Sequence, residues 1–347
     1  MSKNFSKLIR CSKRFSHDEF VTNFGEIDAD VAAMLASPNA LEARREARNH
    51  IDKNPELLYK LPFGDFKSGP ELAEGKVAAV DGATALPMQQ YSIGQAICVA
   101  VGSVTYQRDI ERTLHYWSTK ADLDEAESTK SFLDREYGYL FGISQTAVLR
   151  YFEAQHGLEI DEPMVFFDGT IVYEWLAGMD EGTDLYTRLF ETKKCLGVMK
   201  NLHDNKRAGL LGWALEPGEL FVIETLHQHL ANSRASNKNH GEGRPHTSSA
   251  FSQNLAPKIL RGVFKPQFKA FGFEVHEDHL QDMIRILAAD CQMNYAGHEI
   301  PFLLNKVDEQ LRRHYGGNIL KNQIAYRMTK TDEEIFFENT DEHDFRR

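Results

Sequence analysis

The chain has 347 residues, 42% of them hydrophobic, so it is long enough to bury a substantial apolar core. Its formal net charge of -11 argues against nonspecific binding of nucleic acid by the whole surface, although a local basic path stays possible. The sequence shows neither a run of the roughly 18 apolar residues that a membrane span needs nor a secretory apolar segment in MSKNFSKLIRCSKRFSHDEF. We therefore expect a cytoplasmic protein.

Helices are predicted in the first 70 residues, where IDADVAAMLASPNALEARREARNHI spaces apolar residues three and four apart. From Lys76 the pattern changes to apolar runs that are typical of strands, in KVAAVD and AICVAVGSVTY. A long helix is predicted over residues 128–156, and a buried strand follows at MVFFD. This order predicts an α/β fold, a mixed sheet with helices packed on it.

In the second half, we predict a helix around DLYTRLFETKK and strands in CLGVMK, AGLLGWAL and ELFVIETL. Residues 231–250 are rich in Ser, Asn, Gly and His and are predicted to form a loop. The basic segment APKILRGVFKPQFKAFGFEV predicts a strand or hairpin, and two helices follow in DHLQDMIRILAADCQM and PFLLNKVDEQLRRHYG.

We expect three regions along the chain. Residues 1–70 form a helical region that could dock a partner or support dimerisation, notably through NFSKLIRCSKRF, although a simple packing helix is the alternative. Residues 71–320 form the main domain. Residues 321–347 form an acidic C-terminal tail, whose charges are most simply solvated.

Two of the predicted strands run straight into Asp-Gly, in VAAVDGATA at 77–85 and in MVFFDGTIVYEW at 164–175. A single Asp-Gly is most simply a turn. Neighbouring strands that end at the same edge of a sheet would instead bring Asp81 and Asp168 within a few Å of each other. Two close carboxylates repel, and a divalent cation removes that repulsion. The pair therefore predicts a metal site.

Further acids could complete this site. The long helix offers Glu136 near its start and Glu153 near its end; we prefer Glu136, because the apolar residues around it could turn it toward the sheet. A last acid could be Asp308, which shares a stripe with apolar residues of the C-terminal helix. An exposed position is the alternative for each acid. Oxygen ligands suit Mg²⁺ or Mn²⁺, which can promote hydrolysis of a phosphodiester.

The order of these segments resembles the NurA nuclease family, whose RNase H-like domain has metal-dependent activity on DNA ends. The matching pieces, which fall within residues 70–315, are VAAVDGATA, FLDREYGYL, MVFFDGT, LGVMK and GHEIPFLLNKVDEQLR. The resemblance implies Mn²⁺ or Mg²⁺ as cofactor, Asp81, Glu136 and Asp168 as metal ligands, and Lys200 facing a phosphate. GHEIPFLL departs from the Tyr-Pro approach of the family, which leaves Asp308 in doubt and His298 as another possible contributor.

A path for DNA is predicted where basic residues interleave with phenylalanines. Its members are Lys193, Lys194, Lys200, Lys206, Arg207, Lys258, Arg261, Lys265 and Lys269, with Phe264, Phe268 and Phe271. A solvated strand face over a phenylalanine core is the alternative. The pair His227-x-His229 and the cluster HEDH at 276–279 lack a convincing set of zinc partners, so we interpret them as surface histidines.

The chain has no P-loop and cannot by itself move along a duplex. The resemblance implies that it works with a HerA-type hexameric ATPase, usually as a homodimer. The first hypothesis is a deoxyribonuclease that processes DNA ends in DNA repair or anti-phage defence. The alternative is a catalytically decayed RNase H-like subunit that binds or regulates a DNA-translocating ATPase, and an RNA-directed enzyme of the same fold also stays open.

Overall fold

The computed structural model describes residues 31–61, 69–84, 89–91, 94–118, 137–202, 205–236, 249–293 and 300–315. A ten-stranded sheet runs through these ranges. Its strands are β1 (Leu58–Lys60), β2 (Val77–Thr84), β3 (Gln89–Tyr91), β4 (Gly94–Val104), β5 (Glu111–Ser118), β6 (Met164–Asp168), β7 (Lys194–Met199), β8 (Glu219–Thr225), β9 (Ile259–Lys265) and β10 (Phe271–His276).

Helices pack around this sheet, and none in the described ranges combines the length and apolar character that a membrane crossing needs. They are α1 (Pro38–Asp52), α2 (Pro70–Ala73), α3 (Tyr137–Glu159), α4 (Asp180–Thr192), α5 (Lys206–Ala214), α6 (Leu226–Ser236), α7 (Ser249–Asn254), α8 (Leu280–Cys291) and α9 (Phe302–Tyr315).

The sheet confirms the predicted mixed α/β class. Its order is β1-β8-β9-β10-β7-β6-β2-β4-β3, and β5 also pairs with β4. Strands β2, β6 and β7 are mutually parallel, whereas the other pairs are antiparallel. The run β5-β4-β2-β6-β7, in which β4 alone is reversed, is the order of an RNase H-like sheet. The carboxyl ends of β2, β6 and β7 consequently lie at one end of the sheet.

Alternating side chains of β2 and β6 fill a core on each face of the sheet. Val80 and Phe167 face the core that includes α3 and α4. Ala79 and Phe166 face the opposite core, with α8 and α9. Helices α1 and α5 pack together against β8 and β9 in a third cluster. Because helices cover both faces, the strand ends are where polar side chains can gather.

The prediction of a strand in AGLLGWAL is wrong, because this segment lies in helix α5. The side chain of Asn205 caps the helix by accepting a hydrogen bond from the amide of Ala208 at 3.0 Å. Ala208, Leu211 and Ala214 are buried and three residues apart, whereas Leu210 is exposed. Burial at that spacing is the pattern of a helix and not of a strand.

Other predicted elements are confirmed with shifted bounds. The basic segment forms the β9–β10 hairpin, and α8 and α9 follow it as expected. The loop predicted over 231–250 is wrong at both ends, where α6 and α7 lie, and residues 237–248 are outside the described ranges. The described part of the predicted N-terminal region contributes β1 to the sheet. NFSKLIRCSKRF and the acidic tail are outside the described ranges.

Candidate active site

Asp81 and Asp168 occupy adjacent positions at one end of the sheet. Strands β2 and β6 pair in parallel with Val80 opposite Phe167, so the two aspartates are the next residues in register. Asp81 is buried, and its Oδ1 accepts the Gly82 amide at 2.8 Å, whereas the Asp168 side chain is 25% exposed. The structure thus brings together the two strand-end acids that the sequence singled out.

Gly82 is the residue that lets helix α3 approach this pair. Strand β2 continues through Gly82 to Thr84, so the first Asp-Gly is not a turn. A Cβ placed on Gly82 would lie 2.4 Å from Leu149 Cδ1 and 2.8 Å from Glu153 Oε1, both on α3. The missing side chain therefore makes room for the Glu153 carboxylate, which is 3% exposed and joins the two aspartates.

Two cations lie against these acids. Arg150, one turn before Glu153, donates from Nη1 to Glu153 Oε2 at 2.8 Å and to the Asp168 backbone oxygen at 2.6 Å. Lys200, just after β7, places Nζ 2.7 Å from Asp168 Oδ2. We call Asp81, Glu153 and Asp168, with Arg150 and Lys200, the carboxylate cluster. Its three acids and two bases leave it one negative charge in excess when all are ionised.

The electrostatics of the carboxylate cluster disfavour that excess charge. Burial raises the pKa of Asp81 well above its usual value, and repulsion from Glu153 and Asp168 raises it further. Burial also raises the pKa of Glu153, against the lowering influence of Arg150. A bound divalent cation would relieve this repulsion by neutralising the carboxylates.

The sequence named three further candidate ligands, Asp308, Glu136 and His298. The Asp308 carboxylate accepts a hydrogen bond from Arg312 Nε at 2.7 Å on its own helix, α9. Glu136 and His298 lie outside the described residues. Across the ranges that the structure describes, no three His, Cys, Asp or Glu side chains are arranged to hold a metal ion. The cluster therefore supplies the donor chemistry for a metal without a formed coordination shell.

The predicted DNA path is largely used by internal contacts. Phe264 and Phe271 are fully buried, so the prediction that they stack on bases is wrong and the alternative of a phenylalanine core holds for them. Only Phe268 of the three is exposed, at 71%. Several of the bases make hydrogen bonds or ion pairs within the protein: Lys193 with the carbonyls of Ile160 and Glu162, Lys194 with Asp282, Arg261 with Glu274 and Lys265 with the carbonyl of Leu215.

His229 is more than the surface histidine that the sequence suggested. Its Nδ1 lies 2.9 Å from Glu224 Oε1 and its Nε2 lies 2.9 Å from Glu174 Oε1. These hydrogen bonds raise its pKa to about 9, although burial and the nearby Arg261 oppose the shift. An imidazolium that donates from both nitrogens thus links α6 to β8 and to the segment after β6.

This link predicts a pH-dependent stability. Because the folded pKa of His229 is raised from 6.5 to about 9, its contribution should be complete below pH 6.5 and lost as the pH rises through 9. The melting temperature of the wild type should fall across that interval, and His229→Gln should flatten the fall. Calorimetry of both proteins over this range checks it, and equal slopes would contradict it.

The sheet order gives this chain an RNase H-like fold, and acids lie at the ends of two adjacent parallel strands. Solved structures similar to this chain include the NurA nuclease from Sulfolobus solfataricus, with a TM-score of 0.45 and 10% identity over 88% of this chain and 98% of that one. A NurA structure described as bound to dAMP and manganese has a TM-score of 0.44 and 10% identity, covering 84% and 93%.

Endonuclease V from Bacillus subtilis is also similar, with a TM-score of 0.34 and 13% identity over 69% of this chain and 81% of that one. No protein-family model matches the sequence. No curated protein matches it either. With identities this low, the functional conclusion depends on the side chains of the carboxylate cluster.

Proposed function

We propose that the chain is a metal-dependent deoxyribonuclease of the NurA type, which hydrolyses phosphodiester bonds at DNA ends. The observation that carries this proposal is the carboxylate cluster: acids from β2, α3 and β6 converge at the end of an RNase H-like sheet, beside a lysine from the end of β7. Buried acids with raised pKa values at one point of a sheet are more typical of a functional site than of a structural contact.

The donor set fits Mn²⁺ or Mg²⁺, which bind carboxylate oxygens. Asp81, Glu153 and Asp168 would hold the ion, and Asp308 stays a further predicted ligand. The ion would supply positive charge to the phosphodiester and would lower the pKa of attacking water. Arg150 and Lys200 provide part of the charge that compensates these carboxylates.

The two bases have different roles in this proposal. Lys200 is 22% exposed, and its Nζ lies 2.7 Å from an oxygen of a partly exposed carboxylate, so it can turn toward a substrate phosphate. Arg150 is held between Glu153 and the Asp168 carbonyl, with Nη2 close beneath Gly169. It is therefore positioned to orient Glu153 and the end of β6.

The wider context is part of the same proposal. The enzyme would act in the cytoplasm as a homodimer with a HerA-type hexameric ATPase, in DNA repair or anti-phage defence. The decayed-subunit alternative is favoured by one observation: among the described residues, no complete metal-ligand group is formed. Co-purification of a hexameric ATPase would support the partnership, but it would not distinguish a nuclease from a decayed subunit. An activity assay makes that distinction.

That assay incubates the purified full chain with end-labelled single-stranded and linear double-stranded DNA, and with RNA of the same sequence. We expect cleavage of DNA with Mn²⁺ or Mg²⁺ and none with EDTA. A folded protein that binds DNA without cutting it under any metal would contradict the nuclease and support the decayed subunit. Cleavage of RNA alone would support the third hypothesis.

The identity of the helix ligand gives a second test. We expect Glu153→Gln to reduce cleavage by about 100-fold, since losing a charged ligand forfeits about 3 kcal/mol of transition-state stabilisation. Glu136→Gln serves as the matched control and should retain activity. Rates at saturating Mn²⁺ check both variants. Loss of activity in Glu136→Gln with a normal Glu153→Gln would restore the original preference for Glu136.

A further inference from the structure

The segment that follows Asp168 packs closely against the neighbouring strand, β7. Gly169 has φ of +89°, and its amide donates to the Val198 carbonyl at 2.9 Å. A Cβ on Gly197 of β7 would lie 2.6 Å from the Gly169 carbonyl oxygen and 3.1 Å from the Ile171 amide nitrogen. Because Gly197 has no side chain, the backbone after Asp168 can pass close to β7 at this position.

A carboxylate on the next strand, β10, accepts hydrogen bonds from this backbone. Glu274 of β10 lies opposite Gly197 in the sheet and is fully buried. Its Oε1 accepts the amide of Ile171 at 2.9 Å and the amide of Val172 at 2.8 Å. Its Oε2 lies 3.4 Å from Nε of Arg261 and makes no hydrogen bond within the part of the chain that the structure describes. A buried acid therefore satisfies two amides that belong to no helix or strand.

Hydrogen bonds restrain the backbone around Asp168 at three places. Arg150 holds the carbonyl of Asp168, Val198 holds the amide of Gly169, and Glu274 holds the two amides three and four residues after Asp168. The backbone that presents the Asp168 carboxylate is consequently restrained on its downstream side by Glu274. Without that acceptor, two buried amides would lose their partners and the segment would shift.

We propose that Glu274 is a positioning residue of the site, which fixes the backbone after Asp168 against Gly197 and so sets the direction of the Asp168 carboxylate. This inference rests on the proposed nuclease function. Residues that support a metal ligand from behind commonly change metal affinity or activity by about 10- to 100-fold when they are replaced. Nothing in the sequence pattern marks Glu274, because a glutamate within an apolar strand gives no sign of its partner.

The test compares Glu274→Met, which keeps the length of the side chain and loses the acceptor, with Glu274→Gln, which keeps an oxygen acceptor. In the full-length protein we expect Glu274→Met to lower kcat or Mn²⁺ affinity by about 10- to 100-fold with an unchanged KM for DNA. Glu274→Gln should recover most of the loss. Free Mn²⁺ measured by electron paramagnetic resonance gives the affinity without relying on cleavage.

Glu219→Met is the matched control for loss of a buried strand carboxylate. Glu219 of β8 is 2% exposed, pairs with Arg48 and accepts the Glu216 amide at 2.9 Å, far along the sheet from the carboxylate cluster. It should lower the melting temperature and leave kcat and Mn²⁺ affinity unchanged. A folded Glu274→Met with wild-type kcat and Mn²⁺ affinity would overturn the proposal.

Failure of Glu274→Met to fold and failure of the proposed nuclease function can be told apart. If Glu274→Met does not fold, Gly197→Ala displaces the same segment by placing a methyl group against Gly169 and Ile171, and it must lower Mn²⁺ affinity or the proposal is overturned. If the wild type does not cleave DNA, the proposed function fails. The positioning role is then still decided by Mn²⁺ affinity and by hydrogen exchange of the Ile171 and Val172 amides, which should be protected in the wild type and exposed in Glu274→Met.

Discussion

Asp81→Asn and Asp168→Asn are each expected to reduce metal-dependent cleavage by about 10³-fold. Each removes one negative oxygen from the carboxylate cluster, and about 4 kcal/mol of lost transition-state stabilisation corresponds to that factor. The fold should survive, because asparagine has the shape of aspartate. Single-turnover cleavage of end-labelled DNA at saturating Mn²⁺ measures the loss.

Stability distinguishes this loss from unfolding. Since burial and repulsion raise the pKa of Asp81, its ionised form is disfavoured in the fold, and Asp81→Asn should melt at or above the wild-type temperature. Asp290→Asn is the matched control: Asp290 is fully buried, accepts hydrogen bonds from Tyr106 and Leu303, and lies outside the cluster. Its cleavage rate should stay normal. Full activity in both cluster variants would end the metal-site proposal.

Gly82→Ala is expected to lower stability and abolish activity together. The new Cβ would meet Leu149 and Glu153 at distances that real Cβ atoms do not adopt, so these two side chains, or α3 with them, must move away from β2. Overpacking of this kind costs typically about 1–3 kcal/mol. The movement also withdraws Glu153 from the two aspartates. Urea unfolding and the cleavage rate measure the two effects.

Gly209→Ala is the matched control for adding one methyl group. Gly209 lies within helix α5, and the nearest atoms to its new Cβ would be at 3.5 Å and 4.0 Å, which is ordinary contact. Replacing a helical glycine by alanine should raise stability by about 0.5–1 kcal/mol and leave cleavage unchanged. If Gly82→Ala behaved in the same way, close packing of α3 on β2 would not hold the site together.

The sequence was informative where the information is local. An apolar strand that runs into an acid needs an explanation for that acid, so Asp81 and Asp168 could be chosen from KVAAVD and MVFFD. The sequence brought them together only on the condition that their strands are neighbours ending at the same edge of the sheet, and the parallel pairing of β2 and β6 meets that condition. The alternating and helical patterns also predicted most strands and helices, and AGLLGWAL was misread because a short apolar run fits either structure.

The lengths of the helix and the strand bear on the choice between Glu136 and Glu153. Helix α3 ends at Glu159, shortly before β6 starts at Met164, so the end of α3 and the start of β6 both lie at the opposite end of the sheet from the site. Asp168 lies about 13 Å along β6. Glu153 lies about 9 Å back along α3, whereas the start of α3 lies about 33 Å back. This arithmetic favours Glu153.

Arg150 and Glu274 could not be predicted in the same way. The partners of Glu274 are about 100 positions away along the chain, at Ile171 and Val172. Its role exists only because β10 lies beside β7, which is a property of the whole sheet. Arg150 looked like one more charged residue of a helix. Its bond to the Asp168 carbonyl depends on how closely α3 packs on β2, which Gly82 decides.

The continuity of β2 through the site gives the two aspartates different mechanical surroundings. Asp81 lies inside a strand that has neighbours on both sides, β4 and β6, so local opening there would disrupt two ladders at once. Asp168 is the last residue of its strand and is followed by an irregular segment. In the proposed nuclease, any adjustment to substrate would therefore fall on the partly exposed side chains of Asp168 and Lys200, because the Asp81 side chain is buried and the backbone after Asp168 is restrained by Glu274.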